Sequence, residues 1–158
     1  MNIRKATIND MSAVLELIRE LARFEREPDA VEVTVDKLKK DGFTNPPAFE
    51  CFVAEDDNQI LGMAFIYMRY STWKGKVLHL EDLIIRQEAR GRGIGTRLLD
   101  EVVKYGFELG VKRISWVVLD WNQTAIDFYK RKGAVVLDDW DVVQLDEKGI
   151  KNYISRIE

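Results

Sequence analysis

The chain has 158 residues, of which 46% are hydrophobic, and this is enough to build the core of a single domain spanning 1–158. Its 24 basic and 27 acidic residues give a formal net charge of -3 with no long run of either sign, so composition does not support binding to nucleic acid or to an anionic membrane. No apolar run approaches the ~20 residues of a membrane span, and the residues that follow Met1 are typical of a folded domain. We therefore expect a cytoplasmic protein.

Hydrophobic periodicity predicts an alternation of strands and helices in the first half of the chain. A short strand at 3–6 is followed by Thr7 and Asp10, which form a plausible helix N-cap. The remaining predicted elements are a helix from about 11 to 21, a shorter helix from Thr34 to Lys40 stopped by Gly42, and strands at about 49–55 and 59–69 that form a hairpin around Asp56-Asp57-Asn58.

The second half is predicted to continue the α/β pattern. Its predicted elements are a turn at 71–75, a strand ending near Ile85, a helix at 96–109, a strand at 113–119, a helix at 123–132 closed by Gly133, and a final pair of strands near 134–137 and 141–145. The strand, helix and strand between Val77 and Leu119 predict a right-handed crossover that joins parallel neighbours. The fold class is therefore α/β with a mixed sheet.

Cys51 and His79 are the only cysteine and the only histidine. No internal disulfide can form, and the two residues are too far apart in sequence to suggest a metal-ligand cluster. Cys51 lies in the apolar stretch Phe49–Ala54, where a small buried side chain is favoured over a nucleophile. We therefore expect neither metal nor thiol chemistry.

A glycine-rich run lies between an apolar strand-like stretch and a helix-like one. It consists of Arg90, Gly91, Arg92, Gly93, Ile94, Gly95 and Thr96. Backbone amides at a helix N-terminus, helped by the helix dipole and two arginines, favour a diphosphate. The spacing excludes a P-loop and fits a dinucleotide fingerprint poorly. Taken alone, the run is equally compatible with a plain glycine-rich turn.

The run Arg90–Gly95 matches the Gln/Arg-x-x-Gly-x-Gly/Ala signature of the GCN5-related N-acetyltransferase (GNAT) superfamily. Segments outside the loop resemble one branch of it, the spermidine/spermine (diamine) and thialysine N-acetyltransferases. These segments are Leu21–Glu25, Asp41–Phe43, Tyr70–Gly75, His79–Leu83 and Asp120–Gly133. The resemblance thus covers nearly the whole chain.

The resemblance implies the GNAT fold, in which a mixed, mostly antiparallel central sheet is splayed between two parallel strands and flanked by helices. It also implies acetyl-CoA as cosubstrate, with the diphosphate at the glycine-rich run and the pantetheine arm paired to strand backbone. The implied cofactor-binding residues are Leu83, Ile84, Ile85, Arg90, Gly91, Arg92, Gly93, Ile94, Gly95, Thr96, Asn122, Ala125 and Tyr129. No metal is implied.

The implied reaction is direct transfer of acetyl from the thioester to a primary amine in a ternary complex. An aliphatic amine has a pKa near ~10.4, so only on the order of one molecule in a thousand is neutral at pH 7. By resemblance, Glu81 is the proton acceptor and Tyr129 the general acid or hydrogen-bond donor to the departing sulfur. From the residues alone, Glu81 could be a solvated strand residue, and periodicity favours Tyr129 as a core aromatic.

The implied substrate is a small cationic amine, such as a polyamine or diamine, thialysine or a lysine-like amine. The implied substrate-binding residues are Phe24, Glu25, Trp73, Glu81, Asp82 and Trp116, with Asp138 and Asp139 near the same channel. Each acid taken singly is more often a solvated surface residue. Two alternatives remain: a GNAT enzyme for a protein lysine or an aminoglycoside, and a non-catalytic CoA-binding module. By resemblance we also expect a homodimer.

Overall fold

A computed structural model describes residues 1–157 and contains two compact units, Met1–Val117 and a second that begins at Val118. That both belong to one domain stays a prediction. The elements of the first unit are β1 (Asn2–Lys5), α1 (Met11–Phe24), α2 (Val35–Gly42), β2 (Glu50–Asp56), β3 (Gln59–Ser71), β4 (Gly75–Ile85), α3 (Ile94–Glu108) and β5 (Ile114–Ser115). Most of the predicted elements of this unit are confirmed to within a few residues.

The first unit is built on one five-stranded sheet with the strands in sequence order. Strands β1 to β4 pair antiparallel, and β5 pairs parallel to β4. The sheet is therefore mixed and mostly antiparallel, as predicted. The parallel pair follows the crossover through α3, as expected for a strand, helix and strand unit.

Helices cover both faces of this sheet. Apolar residues of α1 and α2 share a core with alternate residues of β2, among them Cys51 and Val53. Phe52 points to the opposite face, where its ring contacts Tyr105 of α3 with ring centroids 5.5 Å apart. Cys51 is 5% exposed, and burial raises the pKa of its thiol, so the predicted structural role of this residue is confirmed.

The start of α1 is fixed by a charged cluster. Asp10 accepts a hydrogen bond from the backbone N–H of Thr7 at 2.6 Å, and a bidentate pair from Arg4 at 2.7 and 2.9 Å. The guanidinium of Arg4 lowers the pKa of Asp10 to about 2. The predicted capping box is confirmed in the 3₁₀ turn Ile8–Asp10 that leads directly into α1, and Arg4 additionally ties β1 to this turn.

The turn between β2 and β3 has positive φ at both central residues, 48° at Asp57 and 62° at Asn58. This is the conformation of the two-residue hairpin turn that suits the twist of antiparallel strands, and Asn and Asp tolerate it well. The predicted hairpin is confirmed.

The predicted strand at 113–119 is longer than the observed one. Only Ile114 and Ser115 pair with β4, opposite Leu78 and His79. The predicted length was wrong because an apolar run indicates extended backbone, whereas a strand also needs a partner. The pairing between β4 and β5 ends at His79, two residues before Glu81, where the pairing between β4 and β3 is interrupted.

The second unit contains α4 (Gln123–Arg131) and α5 (Glu147–Ile154). The prediction of α4 is confirmed, but the final strands near 134–137 and 141–145 were wrong, since these residues form no strand. Their apolar side chains are exposed, including Val143 at 91%, so they lack the buried face that the pattern indicated. Helix α5 was not predicted, although Asp146 caps it by accepting from the N–H of Gly149.

Among residues 1–157, no helix is long and apolar enough to cross a lipid bilayer.

Candidate active site

The glycine-rich run forms a turn that ends at the start of α3. Gly91 and Gly93 have positive φ, 78° and 75°, and a β-carbon placed on either would meet no atom within 4 Å. Open space and exposed backbone therefore occur together at this turn. Such a cradle suits the close approach of an anionic group, because no side chain blocks the amides.

Helix α3 begins without a side-chain cap, since its N-cap residue is Gly93. By contrast, side chains of Thr34, Asn122 and Asp146 accept from backbone N–H groups at the starts of α2, α4 and α5. The first-turn amides of α3 are thus left for solvent or a ligand. Together with the open glycines, they fit the diphosphate that the sequence predicts at Arg90–Thr96.

The two arginines of the turn contact the protein itself. Arg92 pairs with Asp56 of the β2–β3 hairpin at 2.7 Å. Arg90 donates to the carbonyl of Ile85 at 3.2 Å, and its guanidinium lies 5.4 Å from the ring centre of Phe24. These contacts hold the turn against the sheet and bring it next to the end of α1, where Phe24 was predicted to contact substrate.

Strand β4 carries the predicted pantetheine residues and has one open edge beside them. Among the described residues, β5 is the strand that pairs with this edge, and it ends opposite His79. The backbone of Leu83, Ile84 and Ile85 therefore lies beyond the paired region. An unpaired strand edge can bind an extended ligand as if it were a further strand. The side chain of Ile84 packs into the core under α1.

A β-bulge in β4 sets the position of Glu81. Phe65 is paired with Asp82 and Ile66 with Leu80, so Glu81 has no partner in the register between β3 and β4. A bulge leaves one residue outside the ladder and turns its side chain. The Glu81 side chain is 52% exposed although its neighbour Leu80 is 1% exposed. The sequence placed two acids on this strand but did not predict the bulge.

Three acidic side chains lie close together at this point. The pKa of Asp82 is raised to about 7, first by burial and then by the charges of Glu81 and Glu25. Burial also raises the pKa of Glu25, which follows the last residue of α1. The structure therefore brings together three predicted substrate-binding acids, in an environment that favours a bound cation.

His79 and Tyr67 also contact Glu81, and neither was predicted to do so. The His79 Nε2 atom lies 3.5 Å from Glu81 Oε2. Tyr67 lies beside Glu81, and burial, followed by the Glu81 charge, raises the pKa of the Tyr67 hydroxyl. The sequence signal was the position of His79 two residues before Glu81 on one strand, which places both side chains on one face.

The predicted tryptophans are less closely associated with this cluster. Trp73 lies in the turn between β3 and β4 and is 81% exposed. It precedes Gly75, the first residue of β4. Gly75 and Glu81 are six residues apart on this strand, which corresponds to a distance on the order of 20 Å. Trp116 directly follows β5 and is partly buried. Substrate contacts by either residue stay predictions.

The remaining predicted residues lie in the second unit. Asn122 caps α4 by accepting from the N–H of Ala125 at 3.2 Å. Tyr129 is 9% exposed, with its ring 5.2 Å from that of Phe128. Asp138 and Asp139 are exposed in the irregular segment before α5. Within residues 1–157, no group of three or more His, Cys, Asp or Glu side chains is arranged to hold a metal ion.

Comparison with known proteins gives a family match over most of the chain. The model of the acetyltransferase (GNAT) family matches residues 12–134. A thialysine N-epsilon-acetyltransferase of Bos taurus is 38% identical over 140 residues, which cover 84% of this chain and 82% of that protein. A spermidine/spermine N(1)-acetyltransferase-like protein 1 of Homo sapiens is 37% identical over 142 residues, covering 85% of this chain and 20% of that protein.

Solved structures agree with this match at the level of the fold. An integron cassette protein from the mobile metagenome of V. cholerae has a TM-score of 0.80 at 20% identity, covering 97% of this chain and 96% of its own. An aminoglycoside N-acetyltransferase in complex with CoA has a TM-score of 0.68 at 17% identity, covering 92% and 99%. This chain therefore belongs to the acetyltransferase (GNAT) family and is an N-acetyltransferase, with relatives named as thialysine N-epsilon-acetyltransferases and as a spermidine/spermine N(1)-acetyltransferase-like protein.

Proposed function

We propose that this protein transfers acetyl from acetyl-CoA directly to a primary amine of a small cationic substrate, such as a polyamine or diamine, thialysine or a lysine-like amine. The observation that carries the proposal is the bulge that leaves Glu81 without a partner on β3, with the partly buried Asp82 and the charge of Glu25 close to it. A carboxylate there can take a proton from a bound ammonium, and the neighbouring charges attract that cation.

The cosubstrate supplies an activated acetyl group as a thioester. Its diphosphate would be held by the uncapped amides of α3 and the open glycines of the turn. The backbone of Leu83 and Ile85 on the open edge of β4 would pair with the pantetheine arm. By resemblance, Asn122, Ala125 and Tyr129 are also proposed to bind the cosubstrate, with the Tyr129 hydroxyl as the donor to the departing sulfur.

Substrate selection is assigned to the acids at the end of α1 and on β4. Burial makes an unpaired carboxylate costly, and a cation that neutralises it is favoured in return. Asp82 would therefore favour a bound ammonium group, with the charges of Glu81 and Glu25 beside it, while Phe24, Trp73 and Trp116 would contact the aliphatic part of the substrate. The 37–38% identity to proteins named for thialysine and spermidine/spermine supports this class of amine.

Homodimer formation is part of the proposal. The segment 134–145 exposes a run of apolar side chains, and clusters of this kind on a protein surface commonly mark an interface. Its exposed members are Val135, Val136, Leu137, Trp140, Val142, Val143 and Leu145. A second copy of the chain would cover them.

The first prediction tests the diphosphate site. Gly93→Glu places a side chain and a negative charge over the open amides, so affinity for acetyl-CoA should fall roughly ten- to hundredfold, the loss expected for one or two charge-assisted hydrogen bonds. Isothermal titration calorimetry measures it. Gly110→Glu is the matched control, because Gly110 has a similar φ of 68° and open space at the other end of α3. Equal affinities in the two folded variants would contradict the site.

The second prediction separates the two catalytic roles. Glu81→Gln removes the proton acceptor but keeps its shape, so kcat/KM should fall on the order of a hundredfold near neutral pH and recover at high pH, where free amine is abundant. Tyr129→Phe removes a donor, so its defect should persist until tyrosine would ionise near pH ~10.

The measurement is the pH–rate profile of each folded variant. Glu88→Gln, at an exposed acid of the turn after β4, and Tyr153→Phe, at an exposed tyrosine of α5, are the controls and should match the wild type. Profiles of Glu81→Gln and Tyr129→Phe that run parallel to the wild type and barely below it would show both roles to be wrong.

The third prediction follows from the raised pKa of Asp82. The folded state favours its protonated form, so the wild type should lose stability as pH rises from about 4 through about 7. Asp82→Asn carries no charge, so its Tm should exceed that of the wild type above pH 7 and approach it near pH 4. Asp36→Asn, at an exposed acid of α2, should show no such pH dependence. A Tm difference for Asp82→Asn that is constant with pH would contradict the assignment.

The fourth prediction concerns the oligomeric state. Light scattering at micromolar concentration should give twice the chain mass of 18.3 kDa. Val143→Glu puts a charge into the exposed apolar segment and should shift the protein to monomer, whereas Val103→Glu on the exposed side of α3 should not. A monomeric wild type would rule out the proposed dimer.

A further inference from the structure

His79 is the buried polar residue nearest to the proposed base. It is 8% exposed on β4, and its ring lies between side chains from three strands. Tyr67 of β3 stacks at a tilted angle with centroids 5.0 Å apart, Ser115 Oγ of β5 lies 3.5 Å from Nδ1, and Glu81 Oε2 lies 3.5 Å from Nε2. The Ser115 contact is at the long limit of hydrogen bonding and the Glu81 contact is an ion-pair distance, and contacts between catalytic groups often tighten in substrate complexes.

The chemistry of its partners assigns a tautomer to this imidazole. An ionised Glu81 can only accept, so Nε2 must carry the proton, and Nδ1 then accepts from the hydroxyl of Ser115. Burial lowers the pKa of His79, opposed by the Glu81 charge and assisted by that of Arg69 on β3. The neutral form with hydrogen on Nε2 satisfies both contacts near neutral pH.

Glu81 is thereby contacted from two sides. Tyr67 lies beside it on β3, and His79 Nε2 faces it from β4 at 3.5 Å. A bulge residue with a half-exposed side chain would otherwise sample several rotamers. Two donors on the carboxylate restrict it to one orientation and leave its remaining lone pairs for the substrate amine.

We propose that His79 is a positioning residue for Glu81, acting through a chain of contacts that runs Ser115 to His79 to Glu81 and is completed by Tyr67. The role rests on the proposed function of Glu81 as base. His79 itself neither touches substrate nor carries the transferred proton. Its effect should appear in the rate of the chemical step and not in acetyl-CoA binding.

The first test is a spectrum of the wild-type protein, prepared without a histidine tag. Since His79 is the only histidine, its ring nitrogens give unambiguous long-range 1H–15N signals. We expect the Nε2–H tautomer at neutral pH and an imidazole pKa below the ordinary 6.5. Glu81→Gln should lower this pKa further, because it removes a negative charge, whereas Glu88→Gln should not. The Nδ1–H tautomer, or no response to Glu81→Gln, would overturn the proposal.

The second test uses two substitutions of similar size. The amide of His79→Gln can place an N–H where Nε2 lies, while the shorter His79→Asn cannot reach Glu81. We expect kcat to fall roughly ten- to hundredfold in His79→Asn, as for a misoriented catalytic group, with the KM for acetyl-CoA unchanged and most of kcat restored in His79→Gln. Equal kcat values in the two variants would overturn the positioning role.

Comparison with Glu81→Gln distinguishes the two possible failures. If Glu81→Gln loses activity while His79→Asn keeps wild-type kcat, the base is retained and the positioning role is wrong. If Glu81→Gln is fully active, the base assignment is wrong and the positioning role is lost with it. If neither His79 variant folds, two measurements still test the positioning role. They are the wild-type spectrum and the kcat of Tyr67→Phe, which removes the second donor and should lower kcat in the same way.

Discussion

The bulge at Glu81 is the constraint on which the arrangement of the candidate site depends. In a regular ladder, a residue between the buried Leu80 and the neighbouring Asp82 would be paired across to β3. The extra residue frees Glu81 from the ladder, and Asp82 takes the position opposite Phe65. One exposed and one partly buried carboxylate thus follow each other on a single strand. Their environments differ, and the pKa of Asp82 rises while Glu81 stays accessible.

The same strand also connects the proposed base to the proposed cosubstrate site. Beyond His79 the outer edge of β4 has no strand partner among the described residues, and its end leads directly into the glycine turn and α3. The core under α1 holds Ile84, and Arg90 holds the turn to Ile85 and Phe24. Glu81, Asp82 and the open edge therefore follow each other along β4, and the chain then leads through the glycine turn to the uncapped amides of α3.

The sequence predicted most of the sheet and helices that carry the candidate site, but it predicted neither the bulge at Glu81 nor the contacts of His79. Alternation and turn residues were sufficient for the hairpin and for α1 and α3, because a buried face and a capping residue leave local signals. The bulge depends on how two strands align, and no residue pattern in β4 alone reveals it. The role of His79 depends on β5 and β3 arriving beside it. The strands predicted near 134–137 and 141–145 were wrong because exposed apolar residues can give the same pattern as a buried strand. Helix α5, by contrast, could have been predicted from Asp146, which caps its first turn.

The central claim is that Glu81 at the bulge serves acetyl transfer to a small cationic amine. The most direct measurement is acetyl-CoA consumption by the wild type with thialysine, lysine, a diamine and spermidine, set beside an aminoglycoside and a lysine-containing peptide. We expect turnover of at least one of the first four, and little or none of the last two. Turnover of the peptide or the aminoglycoside alone would contradict the substrate class, and binding of acetyl-CoA without turnover of any amine would contradict the catalytic role.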